Sequence, residues 1–232
     1  PELIDQIKAS LLGRRWDSGR KVWTAPWTLD NARAAGKLGL QVTQAFRDAL
    51  KALEALSEAS LTASAAEHTD VELAPGFGGD GLSLRPFQVA AVAYAMERRA
   101  TLIADDLGAG KTVEALAVLH QREAWPAVIV CPAAVKIAWQ RHVEAWTGRQ
   151  AQILTGQKPQ PMLPSDVYIL NYDILPYWQA TLAKIKPSGL VYDESHYVKD
   201  VRAKRSKAAK SLSKTPNLTT VLALTGTPVL NR

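Results

Sequence analysis

Cysteine is almost missing: among 232 residues there is one, Cys131, so no internal disulfide can form. That excludes a disulfide-stapled secreted scaffold and fits a reducing compartment. Cys131 ends the apolar run AVIV, where a packed and inert thiol is expected. Long hydrophobic runs are missing as well, since none approaches the ~20 residues that span a bilayer. No signal-peptide pattern opens the chain, so the expectation is a soluble intracellular protein with no membrane partner. Internal repeats and low-complexity tracts are absent apart from a general alanine richness, which suggests a GC-rich bacterial or phage genome; a eukaryotic source would imply the nucleus. Acids are fewer than bases, 22 against 28, for a net charge of +6 and a pI near 9.4. That balance favours a polyanionic partner. The composition is otherwise ordinary for a globular chain, 47% hydrophobic and 22% charged. The length suits one good-sized domain, or one with a small appendage.

What is present centres on Thr101 to Thr112, TLIADDLGAGKT. A short apolar run stops at Asp105-Asp106, a glycine-bearing loop follows, and Gly110-Lys111-Thr112 opens the helical pattern VEALAVLHQ. Strand, tight loop and helix in this order cradle a triphosphate, because the first turn of a helix has N–H donors without internal partners. Asp106, Gly108 and Gly110 would line the phosphates, Lys111 would reach the outer ones, and the Thr112 hydroxyl would sit on Mg²⁺. The pattern wants glycine where Asp105 stands; aspartate tolerates unusual backbone angles, so the turn remains feasible.

Ahead of this, residues 1–61 form a small α+β unit. ELIDQIKASLL places Leu3, Ile4, Ile7 and Leu11 at helical spacing, and RRWDSGRKVWTAPW reads as a hairpin around Asp17-Ser18-Gly19, with Gly19 suited to positive φ. Trp16 and Trp23 flank the turn, and Arg14, Arg15, Arg20 and Lys21 crowd the same residues. Such a group can stack on bases and hold phosphates, or be the core of a very small domain with a solvated rim. A further helix over 42–56 carries Val42, Phe46, Ala49, Leu50, Leu53 and Leu56 on one face. Residues 62–81 lose periodicity and end in APGFGGDG, which reads as a linker.

From Leu82 onward, strands alternate with helices, which implies a parallel sheet covered on both faces. The strands are placed at 101–104, 127–131, 151–154, 167–170, 189–192 and 219–224, and the helices at 86–98, 111–121, 134–146, 173–184 and 202–212. In such sheets ligands collect at the carboxyl ends of strands. The run GLVY ends in Asp193-Glu194, where Asp193 would hold Mg²⁺ and Glu194 would orient or deprotonate water. TVLAL ends in Thr225-Gly226-Thr227, placed to sense hydrolysis. Alone, a strand-end acid pair is as readily a solvated one; three such ends in this order point to a nucleotide site.

The series LRPFQ, DDLGAGKT, VIVCPAAVKIAWQ, DESH and LTGTPVLNR resembles the Swi/Snf-type ATPases of helicase superfamily two, over Leu82 to Arg232. PELIDQIKASLLGRRWDSGRKVWTAPW is similar to the HARP domain found beside the motor of annealing helicases. The resemblance implies a RecA-like first lobe, residues 82–232, behind a HARP-like domain. It implies ATP and Mg²⁺ as cofactors, with Lys111, Asp193 and Glu194 catalytic. Gln88 would read the adenine, with Arg85 nearby, and His196 and Thr225 to Thr227 would couple hydrolysis to movement. DNA would be tracked by residues after two strands, here Lys136, Asn171 and Tyr172. The segment Lys199 to Lys214, seven cations with the single acid Asp200, reads equally as a strip along DNA or a solvated face.

The implied activity is that of an ATP-dependent translocase acting on branched or double-stranded DNA. An RNA-directed lobe of the same superfamily, or a structure-specific DNA-binding module without turnover, are the alternatives. The resemblance also implies a second RecA-like lobe, in cis or in trans, that supplies an arginine finger. As the sequence ends at Arg232, a fragment is expected, binding ATP·Mg weakly and hydrolysing it slowly or not at all.

Overall fold

The computed structural model describes residues 2–39, 41–66, 69, 71–79 and 81–226. They fall into two units, 1–65 and 66–232.

The first unit contains α1 (Glu2–Ser10), β1 (Arg15–Asp17), β2 (Val22–Thr24), α2 (Leu29–Lys37) and α3 (Gln44–Ser64). β1 and β2 pair antiparallel with Trp16 opposite Trp23, their ring centroids 5.5 Å apart. Asp17 builds the turn, its Oδ1 accepting from the N–H groups of Gly19 and Arg20. The left-handed residue is Lys21 (φ 53°) rather than the expected Gly19. With residues 19 and 20 held by the carboxylate, the reversal falls on the residue that re-enters the strand.

α2 was not anticipated from the sequence. Thr28 caps it, accepting from the N–H of Asn31, and Asn31 itself is the centre of the unit. Its side chain donates to the carbonyls of Leu12 (2.9 Å) and Pro26 (3.0 Å) and accepts from the N–H of Leu12 (2.7 Å). Among the described residues of this unit only Asn31 and Ala32 are buried. Of the two indoles flanking the turn, Trp16 is 51% exposed and Trp23 only partly buried, so the pair is not a buried core. α3 runs eight residues past Leu56, and Ala49 and Leu56 of its expected apolar face are exposed.

The second unit contains α4 (Pro86–Met96), β3 (Ala100–Ile103), α5 (Lys111–Gln121), β4 (Ala127–Cys131), α6 (Lys136–Thr147), β5 (Ala151–Ile153), β6 (Val167–Asn171), α7 (Leu175–Lys184), β7 (Gly189–Tyr192), α8 (Lys204–Leu212) and β8 (Thr220–Leu224). The sheet is parallel throughout, in the order β3-β8-β7-β4-β6-β5. Every residue of β4 and β6 is buried, as unbroken apolar runs require. Ile129, Ile169 and Val191 pack on one face with α4, α5 and α6, while Val128, Leu170 and Leu190 pack on the other with α7 and α8. β3 is an edge strand, so Leu102 is 53% exposed, where a sheet covered on both faces would bury it.

Residues 62–81 are not a free linker along their length. Residues 62–64 belong to α3, and the stretch from Glu72 to Gly78 lies on the second unit. Ala74 N–H donates to Gln121 Oε1 (2.6 Å), Gly78 N–H to the Trp146 carbonyl (2.9 Å), and Phe77 packs against the rings of His120 and Trp146. Glycine and proline gave this stretch the look of a spacer, but Leu73 and Phe77 anchor it to the core.

Candidate nucleotide site

The strand order brings three strand ends together, because β3, β8 and β7 are neighbours. After β3, Gly108 (φ 84°) and Gly110 (φ 95°) take left-handed conformations, and Gly110 caps α5. Asp105 is not among the positive-φ residues, so its tolerance for such angles is not called upon. Lys111 Nζ folds back over the loop and donates to the carbonyls of Asp105 (2.7 Å) and Asp106 (2.8 Å). Two carbonyl dipoles hold the ammonium where an anion would compete for it.

Gln88 braces the loop from α4. It is 6% exposed; its Oε1 accepts from the Arg85 N–H and its Nε2 donates to the Ala109 carbonyl, both at 2.8 Å. A methyl group on Gly110 would collide with that amide. In this arrangement the expected adenine reader is a strut, with one amide hydrogen left over, while Arg85 is exposed beside it.

Asp193 at the end of β7 is held from several sides. Its Oδ2 accepts from Trp139 Nε1 (2.8 Å), its Oδ1 from the Glu194 N–H (2.9 Å), and its carbonyl from the Tyr172 hydroxyl (2.6 Å). Burial holds this carboxyl above the usual carboxylate range; the Trp139 hydrogen bond opposes that, the Glu194 charge adds to it, and the Lys111 charge opposes it. Glu194 has left-handed backbone angles (φ 49°, ψ 54°), an uncommon state for a residue with a Cβ and one that clusters at functional sites. His196 Nδ1 lies 3.1 Å from Glu194 Oε2, close enough to pair when protonated but not aligned as a hydrogen bond.

Thr225 and Gly226 follow β8. Thr225 is 3% exposed and its N–H donates to the Ile103 carbonyl (3.1 Å). A Cβ on Gly226 would stand 2.8 Å from Leu107 Cδ2 and 3.7 Å from Lys111 Nζ, so this strand end touches the phosphate loop. Thr227 lies outside the described residues. Lys111, Asp193, Glu194 and Gly226 therefore meet at the carboxyl ends of β3, β7 and β8.

Glu114 went unnoticed in the sequence. It is fully buried one turn into α5, no donor reaches either carboxyl oxygen among the described residues, and its neighbour is the Asp105 carboxylate. Burial, then that negative neighbour, pushes its carboxyl up to about 8. Trp139 was missed too, since a tryptophan on an amphipathic helix carries no mark of a polar partner. Cys131 is fully buried and its thiol is pushed up to about 12, mainly by burial, which makes it inert.

The expected nucleic-acid contacts divide. Arg14, Arg15, Arg20 and Lys21 are at least partly exposed around the indoles of Trp16 and Trp23. In the second unit, Tyr172 is 1% exposed, its phenol raised by burial and by the Asp193 charge, and its hydroxyl committed to Asp193. Asn171 is 9% exposed and linked to Asp173 and to Lys136, whose Nζ also reaches the Leu154 carbonyl. Tyr172 and Asn171 thus face inward and cannot track a phosphate backbone as expected. Tyr172, just past β6, lies with Tyr168 and Leu170 on the face covered by α7 and α8, and its hydroxyl meets the Asp193 carbonyl beyond β7.

Comparison with known proteins shows the family. The family model described as SNF2-related domain matches residues 80–232. A Caenorhabditis elegans protein named SWI/SNF-related matrix-associated actin-dependent regulator of chromatin subfamily A-like protein 1 homolog is 37% identical over 156 residues, 64% of this chain and 22% of that one. The mouse DNA annealing helicase and endonuclease ZRANB3 is 31% identical over 160 residues, 64% of this chain and 15% of that one. The chain thus spans less than a quarter of the length of these relatives. The Sulfolobus solfataricus SWI2/SNF2 ATPase core, solved in complex with dsDNA, superposes with a TM-score of 0.58 at 24% identity, over 68% of this chain and 35% of that one. A nematode, a mouse and Sulfolobus lend nothing to the bacterial or phage source suggested by alanine content. Among the described residues no helix is long and apolar enough to cross a membrane. The matched model starts at residue 80, leaving the HARP-like likeness of residues 1–61 to its own motif. By that match over residues 80–232, carried on a parallel RecA-like sheet, the chain belongs to the SNF2-related domain family.

Proposed function

We propose that this chain is the front part of an ATP-dependent, DNA-directed motor of the annealing-helicase kind, with residues 82–232 as its first nucleotide-binding lobe. The observation that carries the reading is the meeting of Lys111, Asp193 and Gly226 at one sheet edge. The donor set fits a magnesium nucleotide: an ammonium, a hydroxyl at Thr112, two adjacent carboxylates, and a loop whose Gly108 and Gly110 take left-handed angles. When bound, the metal supplies charge neutralisation at the phosphate oxygens.

The chain's own parts then have distinct tasks. Lys111 exchanges the Asp105 and Asp106 carbonyls for phosphate oxygens. Asp193, fixed by Trp139, presents a pre-oriented carboxylate to the metal with Thr112. Glu194, turned out of the strand, holds the water-side position, and His196 is its neighbour. A second RecA-like lobe, in cis or in trans, completes the site. The names of the relatives support DNA rather than RNA as the track, and a nuclear location in a eukaryote.

Residues 1–61, read as a HARP-like module, add recognition of branched or double-stranded DNA. The half-exposed Trp16, paired with Trp23 among the cations of the same hairpin, favours this, since an exposed indole in so small a unit serves contact better than packing.

The test is titration of a fluorescent ATP analogue with Mg²⁺. Lys111→Ala is expected to weaken binding at least ~10-fold, and Asp193→Asn to remove most of the Mg²⁺ dependence. Unchanged affinity in both variants refutes the nucleotide site. In parallel, the chain should bind forked and duplex DNA; binding to neither refutes the DNA-directed part.

A further inference from the structure

The charge of this protein is concentrated in one place. Residues 199–214 hold seven cations and one acid, a net +6 that equals the net charge of the whole chain; the remainder has twenty-one residues of each sign. The structure puts the lysines of this segment on a single face. Lys204, Lys207, Lys210 and Lys214 are all exposed, while Ser206, Ala208, Ala209 and Leu212 on the opposite side of α8 are buried, with Tyr192 donating to the Ala209 carbonyl. Lys199 and Arg202 continue the exposed row ahead of the helix. Arg205 does not join it, lying half-buried with its guanidinium 5.6 Å over the Tyr197 ring.

Local stability does not account for the row. No acid stands in the first turn of α8, where Lys204 and Arg205 face the positive end of the helix dipole. None of the ion pairs among the described residues includes Lys204, Lys207, Lys210 or Lys214. Asp200, the one acid, accepts from the backbone N–H of Arg202. Meanwhile Asn171 and Tyr172 are buried and leave the DNA-tracking role open.

We infer that the exposed face of α8, with Lys199 and Arg202, binds the phosphate backbone of duplex DNA. This rests on the reading of the chain as a DNA-directed motor lobe. From Lys204 to Lys210 the row rises ~9 Å along the helix, against ~3.4 Å per phosphate along one strand of the duplex, so it faces two to three phosphates. Lysine, a hydrated point charge on a flexible stem, suits a backbone contact that carries no sequence information.

The experiment is a salt series of fluorescence anisotropy titrations of the full chain against a 20-base-pair DNA duplex and a single-stranded RNA. Three proteins are compared: wild type, the triple variant Lys207→Gln, Lys210→Gln, Lys214→Gln, and a control triple with the same charge change at exposed positions of the same unit, Lys158→Gln, Lys184→Gln, Lys186→Gln. Glutamine matches lysine in helix propensity, and circular dichroism with ATP-analogue affinity verifies that the fold is intact. The α8 triple is expected to lose about tenfold or more in affinity and to flatten the slope of log K against log salt by about 2–3, with the control near wild type. An α8 triple like wild type, or a control that loses as much, overturns the surface while leaving the DNA-directed reading intact. A wild-type chain that prefers single-stranded RNA overturns the duplex assignment. A wild-type chain that binds no duplex even at about 50 mM salt overturns both.

Discussion

The indole N–H of Trp139 donates to Oδ2 of Asp193 across 2.8 Å, joining α6 to the end of β7 inside the candidate nucleotide site. Trp139 is 2% exposed, so no water can replace it. With Oδ1 taken by the Glu194 N–H, both oxygens of the carboxylate are oriented before any metal arrives. Trp139→Phe keeps most of the packing and removes the donor. Nucleotide affinity measured with Mg²⁺ is expected to fall several-fold, while affinity in EDTA stays the same. Thermal stability should drop by about 1–2 kcal/mol. A variant that melts lower but keeps its Mg²⁺ dependence would reduce Trp139 to a packing residue.

This contact marks the boundary of what was legible in the sequence. Buried parallel strands announce themselves, because AVIVC and VYILN have no polar side, and the strand ends named the phosphate loop and the carboxylates. The partners of those residues do not announce themselves. Gln88 is visible as a motif member, but its brace on the Ala109 carbonyl depends on two segments meeting in space. Tyr172 stands beside a strand end, yet its ring packs with Tyr168 and Leu170 under α7 and α8. α2 is not legible in LDNARAAGK because Leu29 is its one large apolar residue and Asn31, a polar staple that periodicity cannot register, holds it. In 72–78, glycine and proline outweighed Leu73 and Phe77, the residues that decide where that segment lies.

Glu114 gives the lobe a pH dependence. The folded protein holds this carboxyl neutral up to about pH 8, against an ordinary value of 4.5 in the unfolded chain. Between those values the folded state binds more protons than the unfolded state, so the contribution of this group to stability falls as pH rises. Above about 8 both states are ionised and the cost levels off. The loss approaches ~1.4 kcal/mol per pH unit within that window. Glu114→Gln, neutral throughout, is expected to flatten urea-denaturation midpoints between pH 5 and 8 and to exceed wild type at the upper end. A wild-type profile that rises with pH while the variant stays flat would show that Glu114 is ionised in the fold.

Two glycines should separate packing from site geometry. A Cβ on Gly189 would lie 2.6 Å from the Ala124 carbonyl oxygen and 2.5 Å from Leu119 Cδ2, with Ala127 Cβ at 3.1 Å. Backbone cannot retreat as a side chain can, so Gly189→Ala is expected to cost ~1–3 kcal/mol of stability. At Gly226 the nearest atoms belong to Leu107, which is 76% exposed and free to swing away. Gly226→Ala should leave the melting temperature nearly unchanged and weaken nucleotide binding, because the methyl intrudes beside Lys111. Thermal melts and ATP-analogue titrations of both variants distinguish the two effects, and equal melting temperatures would contradict the assignment.

Asn31 should be the residue on which the first unit depends. A unit of this size has little apolar surface to bury, and here only Asn31 and Ala32 are out of solvent among its described residues. The amide of Asn31 meets the Leu12 and Pro26 carbonyls with its donors and the Leu12 N–H with its acceptor, tying the end of α1, the hairpin exit and α2 together. Asn31→Asp preserves shape and the acceptor but sets a carboxylate oxygen against two carbonyls, so it should be worse than a simple truncation. A loss of ~3 kcal/mol or more is expected, against ~1–3 for Asn31→Ala. Hydrogen exchange followed by mass spectrometry reads this by region. Amides of residues 2–64 should exchange much faster in the variant while those of 100–192 keep their protection. Faster exchange throughout would mean that the second unit relies on the first for its stability, and protection unchanged in both would remove Asn31 from the centre of the small unit.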